Sequence, residues 1–203
     1  DTDRSRGLGD VYKRQLLIHP NILQDVNGEY PMMESLKVGH TTGNRYTVFS
    51  LWDTYRNVST LMTLLYPERQ LDIIRTMLDM YRENGWLPKW ELYGRETFTM
   101  EGDPSIPYIV DAWMRGLRDF DEQTAYEAMR KGATTPGEFN LLRPDANDYF
   151  SKGYVPLREQ YDNSVSHALE YYIADWNLAN FAQALGKNCL LYTSPSPRDR
   201  SVS

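Results

Sequence analysis

Apolar positions recur at helical spacing along much of the chain, and long stretches rich in aromatics and prolines interrupt them. The pattern from Leu51 to Leu65 predicts one helix. Pro67 suits the first position of the next, where a missing N–H removes no helical hydrogen bond. Within that second helix Leu71, Ile74, Leu78 and Tyr81 fall at 3.6-type spacing, and Gly85 follows as a C-terminal cap. Tyr66 alone separates the two, which predicts a tight helical hairpin. Asp103-Pro104 opens a third predicted helix to about Gly116, with the aspartate as cap and the proline at the first position. A short fourth helix spans roughly Asp121 to Lys131, with Asp119 or Asp121 as its cap. The last runs from Asn163 to Leu185 and places Val165, Leu169, Tyr172, Trp176 and Ala179 on one stripe ahead of Gly186.

The remainder is irregular. From Leu16 to Tyr46, Pro20, Asn27-Gly28, Pro31 and Gly39 break any period, and Asp25 to Tyr30 reads as a turn between short extended pieces. Tyr46 to Phe49 is β-branched and aromatic enough for a brief strand. Loops at 85–103 and 132–160 are long and carry Trp86, Pro88, Trp90, Pro136, Pro144 and Pro156. The fold class is therefore all-α with a short irregular or β N-terminal stretch. Hairpins of this kind can close into an (α/α) toroid whose loops meet at one end. A simple bundle is the alternative, but bundle connections usually run about 2–8 residues. Loops of this length and composition suggest a working face.

The two ends alter the composition argument. Asp10 to Gln15 and Cys189 to Ser194 can be encoded by opposite strands of one DNA sequence, and the relation extends into Arg6–Gly9 and Ser194–Arg198. Such tails resemble the adapter left by transposase-based library preparation. Residues 1–15 and 189–203 are accordingly expected to be foreign, without native packing at Tyr12 or Leu190, and 16–188 is expected to be the start of a larger domain. The single cysteine, Cys189, lies in a tail, so disulfides and thiol catalysis drop out of the central segment. Each tail carries one net positive charge, so that segment is more acidic than the −6 of the whole chain. Scattered acidic charge argues against a protein that tracks nucleic-acid phosphates. No apolar run approaches the about 18 residues of a membrane span.

Candidate chemistry concentrates in two phrases. Trp52, Asp53 and Arg56 combine a flat face, an acceptor and fixed donors within five residues. A sugar ring, apolar on its C–H faces and edged by hydroxyls, needs that combination. The competing reading makes Trp52 the start of a buried helix, with Asp53 capping it or pairing with Arg56. In the second phrase Trp86 and Trp90 could form a sugar platform and Glu91 could bind hydroxyls, or the rings could wedge the loop against the helices. His167 has no second His or Cys at ligand spacing, so a transition-metal site is unsupported. Neither a nucleophile elbow nor a phosphate-cradling glycine loop occurs.

Taken in order, five phrases resemble one family. They are Phe49-Ser50-Leu51-Trp52-Asp53-Thr54-Tyr55-Arg56, Gly85 to Glu91, Glu96-Thr97 with Met100 and Gly102-Asp103, Asp119-Phe120-Asp121 with Ala125 to Met129, and Ser164-Val165-Ser166 with Leu169-Glu170-Tyr171 and Ala174-Asp175-Trp176. Together they look like the glycoside hydrolase family 92 exo-α-mannosidases. That resemblance implies a β-sandwich preceding an (α/α) toroid of six hairpins, inverting removal of terminal α-linked mannose, and dependence on calcium. It also implies secretion or a periplasmic location and mannose-containing glycans as partners. With the resemblance, Asp53 is expected to help hold the terminal mannose, with Trp52 and Arg56 beside it, while Trp90 and Glu91 stay candidate substrate contacts with a structural role equally open. The family's acid phrase (Glu-x-Asn-x-Trp-Gln-Tyr) and its base phrase (Gly-Asn-Asp-Asp type) are absent, so no catalytic residue and no calcium ligand is assigned in this segment. Another inverting α/α-toroid glycosidase, or a non-catalytic helical carbohydrate-binding or scaffold module, remains open at this point.

Overall fold

The computed structural model describes residues 14–15, 17–157 and 163–187. Apart from residues 14 and 15, both tails, with Tyr12 and Leu190, lie outside the described residues. The N-terminal part is built from short antiparallel pairs. β1 (Asn21–Ile22) pairs with β4 (Tyr46–Thr47), and β2 (Glu29–Pro31) pairs with β3 (Val38–His40). Tyr30 lies opposite Gly39, where a Cβ would come within 2.6 Å of the tyrosine ring, so glycine keeps this pair closed. The turn expected at Asp25–Gly28 forms, with Gly28 N–H donating to Asp25 O at 2.9 Å.

Most of the described chain is helical. α1 (Leu51–Thr54), α2 (Val58–Leu65) and α3 (Pro67–Asn84) follow in sequence, then α4 (Ser105–Met114), α5 (Glu122–Thr134), α6 (Ala146–Lys152) and α7 (Ser164–Ala184). Several helix ends obey local rules. Pro67 opens α3, Gly85 closes it at φ 85°, and Asp121 caps α5 by accepting from Thr124 N–H at 2.9 Å. Among the described residues two clusters make up the core. In the larger one Ile74, Met77 and Leu78 of α3 meet Ile106, Ile109 and Trp113 of α4, Met129 of α5, and Leu178 and Phe181 of α7. Trp113 and Phe181 meet edge to face at 5.1 Å, an arrangement the aromatic quadrupole favours.

Four expectations need correction. The continuous helix over Leu51–Leu65 is broken at residues 55–57, where Tyr55 and Arg56 are drawn toward a partner on α7. Asp103 does not cap α4: the cap position is Pro104, and the Asp103 carboxylate is buried against Arg143. The 132–160 loop contains α6, and the 85–103 loop contains the hairpin of β5 (Glu91–Leu92) and β6 (Arg95–Glu96). On α7 the buried face is Ala168, Tyr171, Ala174, Leu178, Phe181 and Ala182, whereas Val165, Leu169 and Trp176 of the predicted stripe are exposed. Small residues let α7 approach α4 closely, and that approach decides which side turns inward.

Candidate functional site

α1 is short because its residues are used one by one. Leu51, 1% exposed, anchors it in the core, and Ser50 precedes it without a side-chain cap. Trp52 is half-buried, with its indole N–H enclosed and without a partner. Asp53 is exposed, and among the described residues its carboxylate accepts no hydrogen bond and forms no ion pair. Among the described residues Asp53 forms neither a cap hydrogen bond nor a close ion pair with Arg56, although its charge still acts on the Arg56 guanidinium. Arg56 instead pairs with Glu170 of α7, and its guanidinium lies 5.1 Å from the Trp52 ring and 4.8 Å from the Tyr55 ring. The Tyr55 hydroxyl donates to the other Glu170 oxygen at 2.8 Å.

The second phrase packs beside the first. Phe49 N–H donates to Glu91 O at 2.9 Å, which ties the chain entering α1 to β5. The Glu91 carboxylate, expected to bind sugar hydroxyls, is turned inward and is fully buried. It accepts from the Thr47 hydroxyl at 2.9 Å, Val48 N–H at 3.1 Å and Gly94 N–H at 2.6 Å. Burial raises its pKa against the pull of these donors. Val48 has φ 65°, an uncommon value for a β-branched residue, and Glu91 holds its N–H in place. Glu91 thus fixes the bend from which α1 emerges.

Trp90 is half-buried, with its N–H on Glu96 and its carbonyl on Thr97. Trp86 is also half-buried, and the Lys131 ammonium sits 4.5 Å from its ring centroid while donating to Gly85 O. A small, mostly apolar cleft of about 20 Å³ adjoins α1, lined among others by Phe49, Leu51, Val58 and Met62. Trp52, Asp53 and Arg56 are not part of its lining.

Beneath the loops lies a buried ionic network that local patterns did not reveal. Arg143, fully buried, pairs with Asp175 at 2.8 Å and lies 3.5 Å from Asp103. Its guanidinium also sits over the Tyr171 ring at 4.7 Å. Tyr149 donates to Asp175 at 2.8 Å, and Tyr171 donates to Asp145 at 2.6 Å. His167 Nδ1 lies 3.7 Å from Asp145. Burial pushes the Asp103 carboxyl up, and it pushes His167 and Lys89 down even though carboxylates face both. A Cβ at Gly132 of α5 would lie 2.8 Å from an Asp103 oxygen, so glycine makes room for the carboxylate. Arg143, Asp145 and Tyr149 fall in the loop read as irregular. Glu170 was legible as part of the family-resembling phrase on the last helix but not as a site residue, because its partners are more than a hundred residues away.

Among the described residues no three His, Cys, Asp or Glu side chains converge to hold a metal ion. No helix among these residues is long and apolar enough to cross a membrane.

Comparison with known proteins gives consistent matches. A model of the glycosyl hydrolase family 92 catalytic domain matches residues 11–196, and so reaches into both tails. A curated relative from Arthroderma benhamiae, described as an uncharacterized secreted glycosidase, is 30% identical over 199 residues, covering 91% of this chain and 22% of the relative. A family 92 α-mannosidase from Bacteroides thetaiotaomicron, solved in complex with mannoimidazole, is 34% identical with a TM-score of 0.77, covering 88% of this chain and 23% of that one. A family 92 inverting mannosidase from the same organism is 31% identical with a TM-score of 0.80, covering 93% and 26%. The chain spans about a quarter or less of the first two relatives. On sequence and structure together, the chain belongs to glycosyl hydrolase family 92.

Proposed function

We propose that this chain is part of the catalytic domain of a calcium-dependent, inverting exo-α-mannosidase, and that the Trp52–Arg56 corner contacts the terminal mannose. Of two similar structures, one is described as a family 92 α-mannosidase and the other as a family 92 inverting mannosidase. The observation that carries the site is Asp53, whose exposed carboxylate holds no hydrogen bond or ion pair among the described residues, while neighbouring Tyr55 and Arg56 are tied to Glu170. In this reading Asp53 accepts from sugar hydroxyls, the half-buried Trp52 offers apolar surface, and Arg56 adds donors beside them. Trp90 extends the contact surface, and Glu91 acts through its grip on the Val48 bend.

The helices belong to the first hairpins of an (α/α) toroid, residues 16–188 being its early part and the two tails foreign. The acid and the base stand on segments outside this chain, about 6.5–9.5 Å apart with water between them, as inversion requires. Calcium, a hard cation, would hold vicinal sugar hydroxyls, and its ligands lie on those same segments. A secreted or periplasmic enzyme fits the description of the curated relative as secreted.

The test compares the complete gene product with this chain alone. The complete protein is expected to release mannose from α-mannosides, to lose that activity to a chelator and to regain it with calcium. The isolated chain is expected to release none, with or without calcium. Failure of the complete protein on every α-mannoside, or calcium-dependent release by a contaminant-free preparation of the chain alone, overturns the reading.

A further inference from the structure

Glu170 sits on α7, far along the chain from the corner it touches. It is 8% exposed, with one oxygen on Arg56 and the other on the Tyr55 hydroxyl. Its place there depends on Gly102. That glycine has φ +78°, and a Cβ on it would collide with the Glu170 Cβ, so a side chain would push α7 away. Arg56 in turn lies over both the Trp52 and Tyr55 rings. Burial and Glu170 push the Tyr55 hydroxyl up, which keeps it protonated as a donor.

We infer that Glu170 is a positioning residue for the sugar-binding corner: it holds Arg56 and Tyr55, and through Arg56 it orients Trp52 beside Asp53. The inference rests on the reading of that corner as a mannose subsite. Arg56 is 43% exposed, so solvent screens the ion pair and limits its worth to global stability. Orientation is a separate matter. A free arginine at this position samples many rotamers, and two acceptors on one buried carboxylate select a single arrangement of Arg56 and Tyr55 before substrate arrives.

The experiment uses the complete protein. Glu170→Gln is expected to raise KM for an α-mannoside about tenfold, since charge-assisted hydrogen bonds are roughly twice as strong as neutral ones. kcat is expected to stay within about twofold, because uniform binding is what is lost. Tyr55→Phe removes one of the two ties and is expected to raise KM by about threefold. Arg56→Gln combined with Glu170→Gln is expected to be no worse than Arg56→Gln alone, because the pair acts as a unit. A folded Glu170→Gln protein with unchanged KM, or additive losses in the double variant, overturns the inference, whatever happens to the melting temperature.

If the wild type hydrolyses no α-mannoside, the functional reading fails, and positioning is then judged by amide hydrogen exchange. Faster exchange over residues 50–57 in Glu170→Gln, with α3 unchanged, sustains the positioning role. Unchanged exchange over 50–57 refutes it.

Discussion

Asp53→Asn separates the two uses of an exposed carboxylate. The substitution keeps shape and removes charge. Within the described residues the carboxylate holds no hydrogen bond or ion pair, so folding loses no named contact. What remains is its place in the first turn of α1, a charge–dipole effect of about 0.3–1 kcal/mol that salt weakens. The melting temperature should therefore shift by only a few degrees. Toward substrate the loss is larger. A carboxylate accepting from sugar hydroxyls forms charge-assisted bonds, and the neutral amide forfeits roughly 1–3 kcal/mol of that interaction. Since each 1.4 kcal/mol is about a factor of ten, kcat/KM should fall roughly ten- to hundredfold. Paired steady-state kinetics and melting curves on the complete protein make the measurement. Near-normal turnover by a stably folded Asp53→Asn protein would remove Asp53 from the site, and a collapse in melting temperature would show that it braces the fold instead.

Two further predictions concern the buried network. Arg143→Met should destabilise the protein by about 3–5 kcal/mol, because Asp103 and Asp175 would keep buried charge without their guanidinium; denaturant melts measure it, and a loss below about 1 kcal/mol contradicts the pairing. His167 is held below histidine's ordinary 6.5 by burial. Above that value both folded and unfolded chains carry a neutral ring. As pH falls below it the unfolded chain takes up the proton first, so stability is lost down to the folded pKa. His167→Gln should flatten that acid-side loss, and an unchanged pH–stability slope below 6.5 would show that the histidine is not its source.

Much of the helical framework was legible because it rests on local chemistry. Pro67, Gly85 and Asp121 mark their helix ends through effects that act within one turn. The misreadings came where distant partners decided the matter. The helix breaks over residues 55–57, where Tyr55 and Arg56 reach the distant Glu170 and Asn57 takes the cap position of the next helix. Asp103 has the spacing of a cap, yet Arg143 draws it into the interior. The stripe on α7 was periodic as read, but contact with α4 favoured the face carrying small residues. For the site, Trp52, Asp53 and Arg56 stood out because chemically complementary residues were adjacent. Glu91 was legible as a polar partner but not as one facing inward, since sequence spacing does not reveal that Val48 bends back toward it.

The tie between Arg56 and Glu170 also has a history within each newly made chain. The two residues are separated by 114 positions. At about 5–20 residues per second, roughly 6–23 s pass on the ribosome between the emergence of one and of the other. α2 and α3 are neighbours in sequence and can pair at once, because closing a short loop takes well under a millisecond. The corner formed by Trp52, Tyr55 and Arg56 must wait for the last helix described here. Until α7 arrives, Tyr55 and Arg56 are carried beside a finished hairpin without the carboxylate that holds them, open to chaperones and to premature partners.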